Sequence, residues 1–313
     1  MLIRMRNMNK GVLYAIITAV LFSMLEPVSK LIADEISPFT LTAFRFLIGA
    51  VFLAPFAFAE SRRRMPQKKE LAAAALTGVL MVCVSMPLLQ ISVQRSDSPA
   101  LIAIVFSGNS LFTIILSALV LKEKLRLPHM LAILLCVAGI VVCALPIEGK
   151  RFLPVGMAVL SALAFSLYTI LSKRFLSRLN NAVSITLSFL IGGAALLIIL
   201  IAAGQPFPSA LTSRQLLCVL FLGIAVTGVG YLSYFQAMKL GGAHTAAFAF
   251  FIKPVLAPLM AYLIGGSAVT LNALLAIPLI VAGSAINAAR GGKQPPVSGT
   301  PKGAPGINGP DAL

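Results

Sequence analysis

The sequence predicts an all-α polytopic membrane protein: ten transmembrane helices arranged as two inverted five-helix repeats. Three observations predict it: long apolar blocks, scarce charge between them, and a duplication whose spacing puts an odd number of blocks in each half. Of 313 residues, 59% are hydrophobic and 11% charged. Soluble domains carry roughly a quarter charged residues, so a water-soluble fold is excluded. Strands are excluded too, because open sheet edges go unsatisfied in lipid and a barrel would show alternation rather than continuous apolar runs.

The blocks fall at 11–32, 40–58, 71–93, 99–121, 128–146, 153–172, 182–203, 215–237, 243–264 and 269–289. Each approaches the twenty or so residues a helix needs to cross about 30 Å of hydrocarbon. The first follows MLIRMRNMNK and superficially resembles a leader, but its apolar run to Ile32 is too long for a signal core and no small-residue cleavage site follows. It reads as a retained helix behind a short cytosolic segment, 1–10. Short connections make consecutive helices neighbours, giving units at 11–147 and 153–290. Residues 291–313 are rich in Gly and Pro and poor in large apolar residues, and read as a disordered cytosolic tail. Cys83, Cys136, Cys143 and Cys218 all lie inside apolar blocks, where they read as small core hydrophobes.

The net charge of +16 is explained by orientation. With the N-terminus inside, eighteen of the 25 Lys and Arg fall in cytosolic segments and four (Arg95, Lys150, Arg151, Arg214) on the other side; Lys30, Arg45 and Lys253 lie within spans. This bias puts both termini in the cytosol and the chain in the cytoplasmic (inner) membrane. No nucleic-acid partner is needed to account for the basic composition.

The halves resemble each other. AVLFSMLEPVSK (19–30) aligns with ALAFSLYTILSK (162–173) at five of twelve positions, and LAILLCVAGI (131–140) with LAIPLIVAGS (275–284) at seven of ten, at offsets of 143 and 144 residues. Five helices per half make the second half enter the membrane from the opposite side, an arrangement typical of secondary transporters with a site between the repeats.

With FS…SK in helices one and six, TLTAFRFLIGA at 40–50, LVLKEKL at 119–125 and the AG pairs at 138–139 and 282–283, the chain resembles the drug/metabolite transporter superfamily, in particular the EamA-type ten-helix carriers. It departs from that pattern in having no Trp; the helix-four Pro appears only as Pro254, against Ser110, and the Glu closing that helix only as Glu123, against Ser267. The resemblance implies a multipass carrier, often an exporter of metabolites, amino acids or drugs driven by proton exchange.

Candidate chemistry centres on matching stretches of helices four and nine. Ser107, Gly108, Asn109 and Ser110 align with Phe251, Ile252, Lys253 and Pro254 at the 144-residue offset. Gly108 and Pro254 are helix interruptions, the pattern that points to a transporter site; the alternative is close helix packing. Lys253 lies too deep to snorkel easily. It either meets an anionic group of the solute, titrates during transport, or donates to carbonyls freed by Pro254. Glu26 precedes Pro27 and lies one turn before Lys30 on the same face; with Arg45 these form an ion-coupling or gating set, or else a strut whose cations snorkel outward. Tyr231, Tyr234 and Gln236 either line the solute path or fill the core, and Tyr168 and Tyr262 favour packing. His129 and His244 read as interfacial residues, not metal ligands. There is no nucleophile motif, P-loop or nucleotide fingerprint, so no cofactor or catalytic residue is assigned. The leading class is therefore a secondary carrier of a small-molecule solute in contact with membrane lipids; a lipid-modifying membrane enzyme or a non-transporting sensor is the alternative. Small-residue helix faces can pack within one chain or between the copies of a homodimer.

Overall fold

A computed structural model describes residues 2–62, 64–122, 127–145, 149–205, 207–208 and 210–291, and every regular element among them is helical. Glu123 and the tail from 292 onward lie outside the described residues.

Helix α1 runs Leu2–Ser23 and α2 Leu25–Leu31. The expected segment 1–10 is thus mostly the first turns of α1: Leu, Arg, Met and Lys are good helix formers, and no Pro interrupts them. The break at Met24 was not expected. Its cause is Pro27, which has no N–H for the Ser23 carbonyl and whose ring crowds it. Helix α3 runs Pro38–Ser61, with Pro at its first position, where no N–H is needed.

The third span joins α4 (Lys68–Gly78), a π-helical stretch (Val79–Ser85) and α5 (Met86–Arg95). The fourth is split into α6 (Pro99–Ser107) and α7 (Asn109–Val120) by Gly108, where an added Cβ would lie 2.7 Å from Ile140 Cδ1. Then follow α8 (Leu127–Ala144), α9 (Gly149–Phe175), α10 (Asn181–Ala202) and α11 (Ser213–Leu220). A second π-helical stretch, Phe221–Val229, leads into the helical run α12 (Gly230–Gly265) and then α13 (Leu271–Gly291).

The run α12 turns back on itself. At 1.5 Å per residue a straight helix would separate Tyr234 from Phe250 by about 24 Å, yet their ring centroids lie 5.6 Å apart. Eight helices among the described residues are long and apolar enough to cross a membrane, and two shorter apolar ones, Ile252–Gly265 and Leu271–Ile286, follow where two further full spans were expected. The first of these stops because Gly266 takes the left-handed conformation that ends helices (φ 63°). Pro254, expected to interrupt this helix, lies inside it without a break.

Helix α1 packs on α12, α3 on α10, and α8 on α13. Glycines bring the backbones together: a Cβ on Gly78 would sit 2.3 Å from the Ser188 carbonyl, and one on Gly192 2.4 Å from the Gly78 carbonyl. Contact at this range is how helices associate in lipid, where apolar burial supplies no drive. The outer surface carries Leu119, Leu127, Leu134 and Phe152, as a lipid-facing surface requires.

Candidate functional site

The break beside Pro27 sets α2 against α5, α6 and α12, and this places Glu26 in the interior. Lys253 reaches it from α12: Nζ donates to Glu26 Oε1 at 2.7 Å. Both are sealed from solvent, at 0% and 4% exposure. Glu26 and Lys253 come from opposite halves, 227 residues apart. Phe106 of α6 lies under the ammonium, its centroid 5.1 Å from Nζ, a cation–π contact that holds the charge from the other side.

Arg45 of α3 is 2% exposed and does not snorkel. Its Nη2 donates to Met86 Sδ at 3.2 Å, and its guanidinium carbon lies 4.5 Å from the Phe46 ring centroid. Glu26 and Tyr231 are within electrostatic reach of it. An aromatic chain runs from there, Phe46 to Phe189 to Tyr231 to Phe22, with successive centroids 4.7, 5.0 and 4.9 Å apart. Phe250 touches both Phe22 and Tyr234. Three charged side chains therefore sit among aromatic rings with unequal satisfaction: Glu26 Oε2 and Arg45 Nε and Nη1 have no hydrogen-bond partner among the described residues.

Other sequence candidates lie apart from this cluster. Lys30 does not join Glu26; its Nζ donates to the Gln94 carbonyl at 3.0 Å, and Gln94 Nε2 donates to the Ala33 carbonyl, tying α2 to the end of α5. Lys30 follows the break in helix one and is directed toward the span end. Ser110 is bonded to Ser284 of α13 at 2.8 Å and lies 3.5 Å from Cys136 of α8, so it joins helices instead of facing Lys253. Ser107 returns its hydroxyl to the Ala103 carbonyl, and the Asn109 carbonyl accepts from Ser166 at 2.8 Å. The serines' hydroxyls are thus used by the helix framework. Tyr168 is buried beside Phe165, and Tyr262 is exposed. The side chain of His244 lies outside the described residues. Among the described residues, no group of three or more His, Cys, Asp or Glu could hold a metal.

Phe106 against Lys253, Met86 against Arg45, and Gln90, whose Nε2 donates to Ser29 Oγ of α2 at 3.2 Å, were not singled out in the sequence. Gln90 had a signal, a lone amide in an apolar block. Phe106 and Met86 had none, since nothing separates them from ordinary core residues.

Helices long and apolar enough to cross a membrane, on short loops and closed around a buried charge cluster, fit one class: a multi-pass membrane transporter. The EamA-like transporter family model matches residues 9–145 and again 153–289. The chain belongs to that family, within the EamA/DMT superfamily. It is similar to an uncharacterized transporter of Clostridium kluyveri, 34% identical over 291 residues, covering 90% of this chain and 93% of that protein. It is also similar to the uncharacterized transporter YdfC of Bacillus subtilis, 25% identical over 249 residues, covering 79% and 80%. A solved crystal structure shares the fold at a TM-score of 0.63 and 22% identity, covering 89% of this chain and 96% of the other.

Proposed function

We propose that this transporter moves a small solute across the cytoplasmic membrane by alternating access of two inverted five-helix repeats, with both termini cytosolic and export coupled to proton exchange. The observation that carries the reading is the buried Glu26–Lys253 pair. It joins the halves by charge at a point where an incoming proton or solute can replace one partner. A proton on Glu26 removes the charge that holds Lys253, so proton occupancy and the contact between halves are linked.

Matched features in the two halves support the inverted arrangement. The family model repeats after 144 residues. The π-helical stretches at Val79–Ser85 and Phe221–Val229 stand close to that spacing, their starts 142 and their ends 144 residues apart, and the reciprocal caps Gln67/Glu70 and Thr212/Gln215 stand 145 apart. Helix pairing follows suit: α1 on α12 answers α7 on α9, and α3 against the second π-helical stretch answers α10 against the first. π-helical turns inside α-helices are often functional, because they add a residue without breaking the helix.

The test is transport in proteoliposomes under an imposed pH gradient, with a solute found by thermal-stability screening. Wild-type flux follows the gradient, whereas Glu26→Gln exchanges solute without responding to it. A Glu26→Gln protein whose flux still tracks the gradient removes the coupling role. Cysteine labelling checks the topology: in a cysteine-free background Lys68→Cys reacts from the cytosolic side only and Gln205→Cys from the opposite side only. Reaction of both from one side removes the inverted arrangement.

A further inference from the structure

Four charged side chains are buried among the described residues: Glu26, Arg45, Glu70 and Lys253. Glu70 is paired with Arg64 at 2.7 Å, and Glu26 with Lys253 at the same distance. Arg45 is left over. Its only hydrogen bond is one Nη2 contact to a thioether, a weak acceptor, and Nε and Nη1 have none. The central cluster thus holds two cations and one carboxylate, and the carboxylate has already committed one oxygen to Lys253. An ionised side chain in such surroundings is expensive unless something compensates it.

The compensation required has a definite shape. Nε and one Nη of a guanidinium form the edge that receives a carboxylate through two parallel hydrogen bonds. On Arg45 that edge is Nε with Nη2: Nε is free and Nη2 is held only by the Met86 thioether, a weak acceptor that a carboxylate displaces, while Nη1 is free for a further acceptor and Phe46 lies near the guanidinium. From this we infer that Arg45 is the seat of a carboxylate carried by the transported solute. An organic acid fits the aromatic surroundings of Phe22, Phe46, Phe189 and Tyr231, which supply apolar contact for the rest of the molecule. The unpartnered Glu26 Oε2 accepts a hydrogen bond from the same solute: from an ammonium if the solute is a zwitterion, or from a hydroxyl if it is a plain acid. The inference rests on the carrier reading above and assigns its solute a charge class.

The experiment uses the purified full chain and two matched series, propionate, alanine and ethylamine, and hexanoate, norleucine and pentylamine. Within each series the carbon body is kept while the head group goes from carboxylate to zwitterion to amine. A ligand that binds the folded form raises the unfolding midpoint with concentration. The carboxylate or the zwitterion of at least one series raises it, and the amine of that series does not. In Arg45→Lys, which keeps the charge and loses the fork, the concentration needed rises at least about tenfold. Stabilisation by zwitterions alone assigns the ammonium to Glu26; stabilisation by both classes leaves Arg45 as the main contact. The inference is overturned if only amines act, if none of the six acts, or if Arg45→Lys responds like wild type. Should Arg45→Lys not fold, the wild-type ranking decides. None of these overturning results touches the carrier reading, which fails separately if proteoliposomes show no flux of any solute.

Discussion

Removing one member of the Glu26–Lys253 pair leaves the other charge buried with nothing to replace it. At 2.7 Å and an effective dielectric near 20, the Coulomb attraction is about 6 kcal/mol before desolvation is subtracted. Breaking a buried pair from one side costs about 3–5 kcal/mol, whereas replacing both partners by neutral groups is often nearly harmless. The two single substitutions are not equivalent here. Lys253→Met leaves Glu26 with Arg45 still in electrostatic reach, but Glu26→Gln leaves two cations and no carboxylate. Glu26→Gln therefore lies at the upper end of that range and Lys253→Met at the lower end. The double variant recovers most of the loss, with a coupling energy of at least about 2 kcal/mol. Equilibrium unfolding by SDS in mixed micelles, run on wild type, both singles and the double, measures the cycle. A coupling below about 0.5 kcal/mol, the level of independent sites, would refute the pairing argument. A costlier Lys253→Met would refute the role given to Arg45.

Two further predictions concern the frame. Gly78→Ala and Gly192→Ala each destabilise by about 1–3 kcal/mol through overpacking, because the new Cβ meets backbone at 2.3 and 2.4 Å; Gly156→Ala, with nothing within 4 Å, does not, and thermal unfolding separates the cases. At one end of the bundle Arg64 donates to the Arg178 carbonyl and pairs with Glu70, while at the other Arg214 donates to the Leu31 carbonyl beside Glu35. Read as latches on opposite membrane faces, they should act in opposite senses: Arg64→Ala increases reagent access to the core from the cytosolic side and Arg214→Ala from the other, measured by labelling of a Ser29→Cys reporter. Equal effects from one side would dismiss the latch reading.

Much of the frame was legible because bilayer crossing imposes a strong one-dimensional pattern. Block length and charge scarcity place eight spans within a few residues of helices long enough to cross, whereas the expected spans at 243–264 and 269–289 meet only shorter apolar helices, Ile252–Gly265 and Leu271–Ile286. Glu26, Arg45 and Lys253 also stood out singly, since an ionisable residue in an apolar block is conspicuous. Their meeting was not legible. Nothing in the sequence around Lys253 says that its carboxylate lies 227 residues away, because which helix faces which is decided by packing across the whole bundle. The same limit explains Ser110, whose polar run looked like a site and is bonded instead to Ser284. The π-helical stretches escaped for another reason. They conserve apolar character and change only the hydrogen-bond register, and the glycines near Thr227 signal looseness without saying what form it takes.

The duplication bears on what the charges are for. Applying the repeat offsets, Glu26 corresponds to Thr169, Arg45 to Ser188 and Lys253 to Asn109. The packing glycines occur in both copies: Gly49 with Gly192, Gly78 with Gly223, and Gly139 with Gly283, each packed closely against the opposite half. The central ions occur in one copy only. A device needed to hold helices together serves both halves alike, whereas a single solute between them needs its charges once. If the ions were struts alone, replacing all three by their counterparts would leave solute flux in place. If they serve the solute, the triple variant Glu26→Thr, Arg45→Ser, Lys253→Asn leaves no stranded charge. It should fold with stability within about 1–2 kcal/mol of wild type, or above it, since a buried ion set can be exchanged for neutral residues at little cost. Solute flux should be absent. Unfolding in mixed micelles beside proteoliposome uptake separates the outcomes, and a triple variant that is unstable, or one that still transports, contradicts the assignment of these charges to the solute.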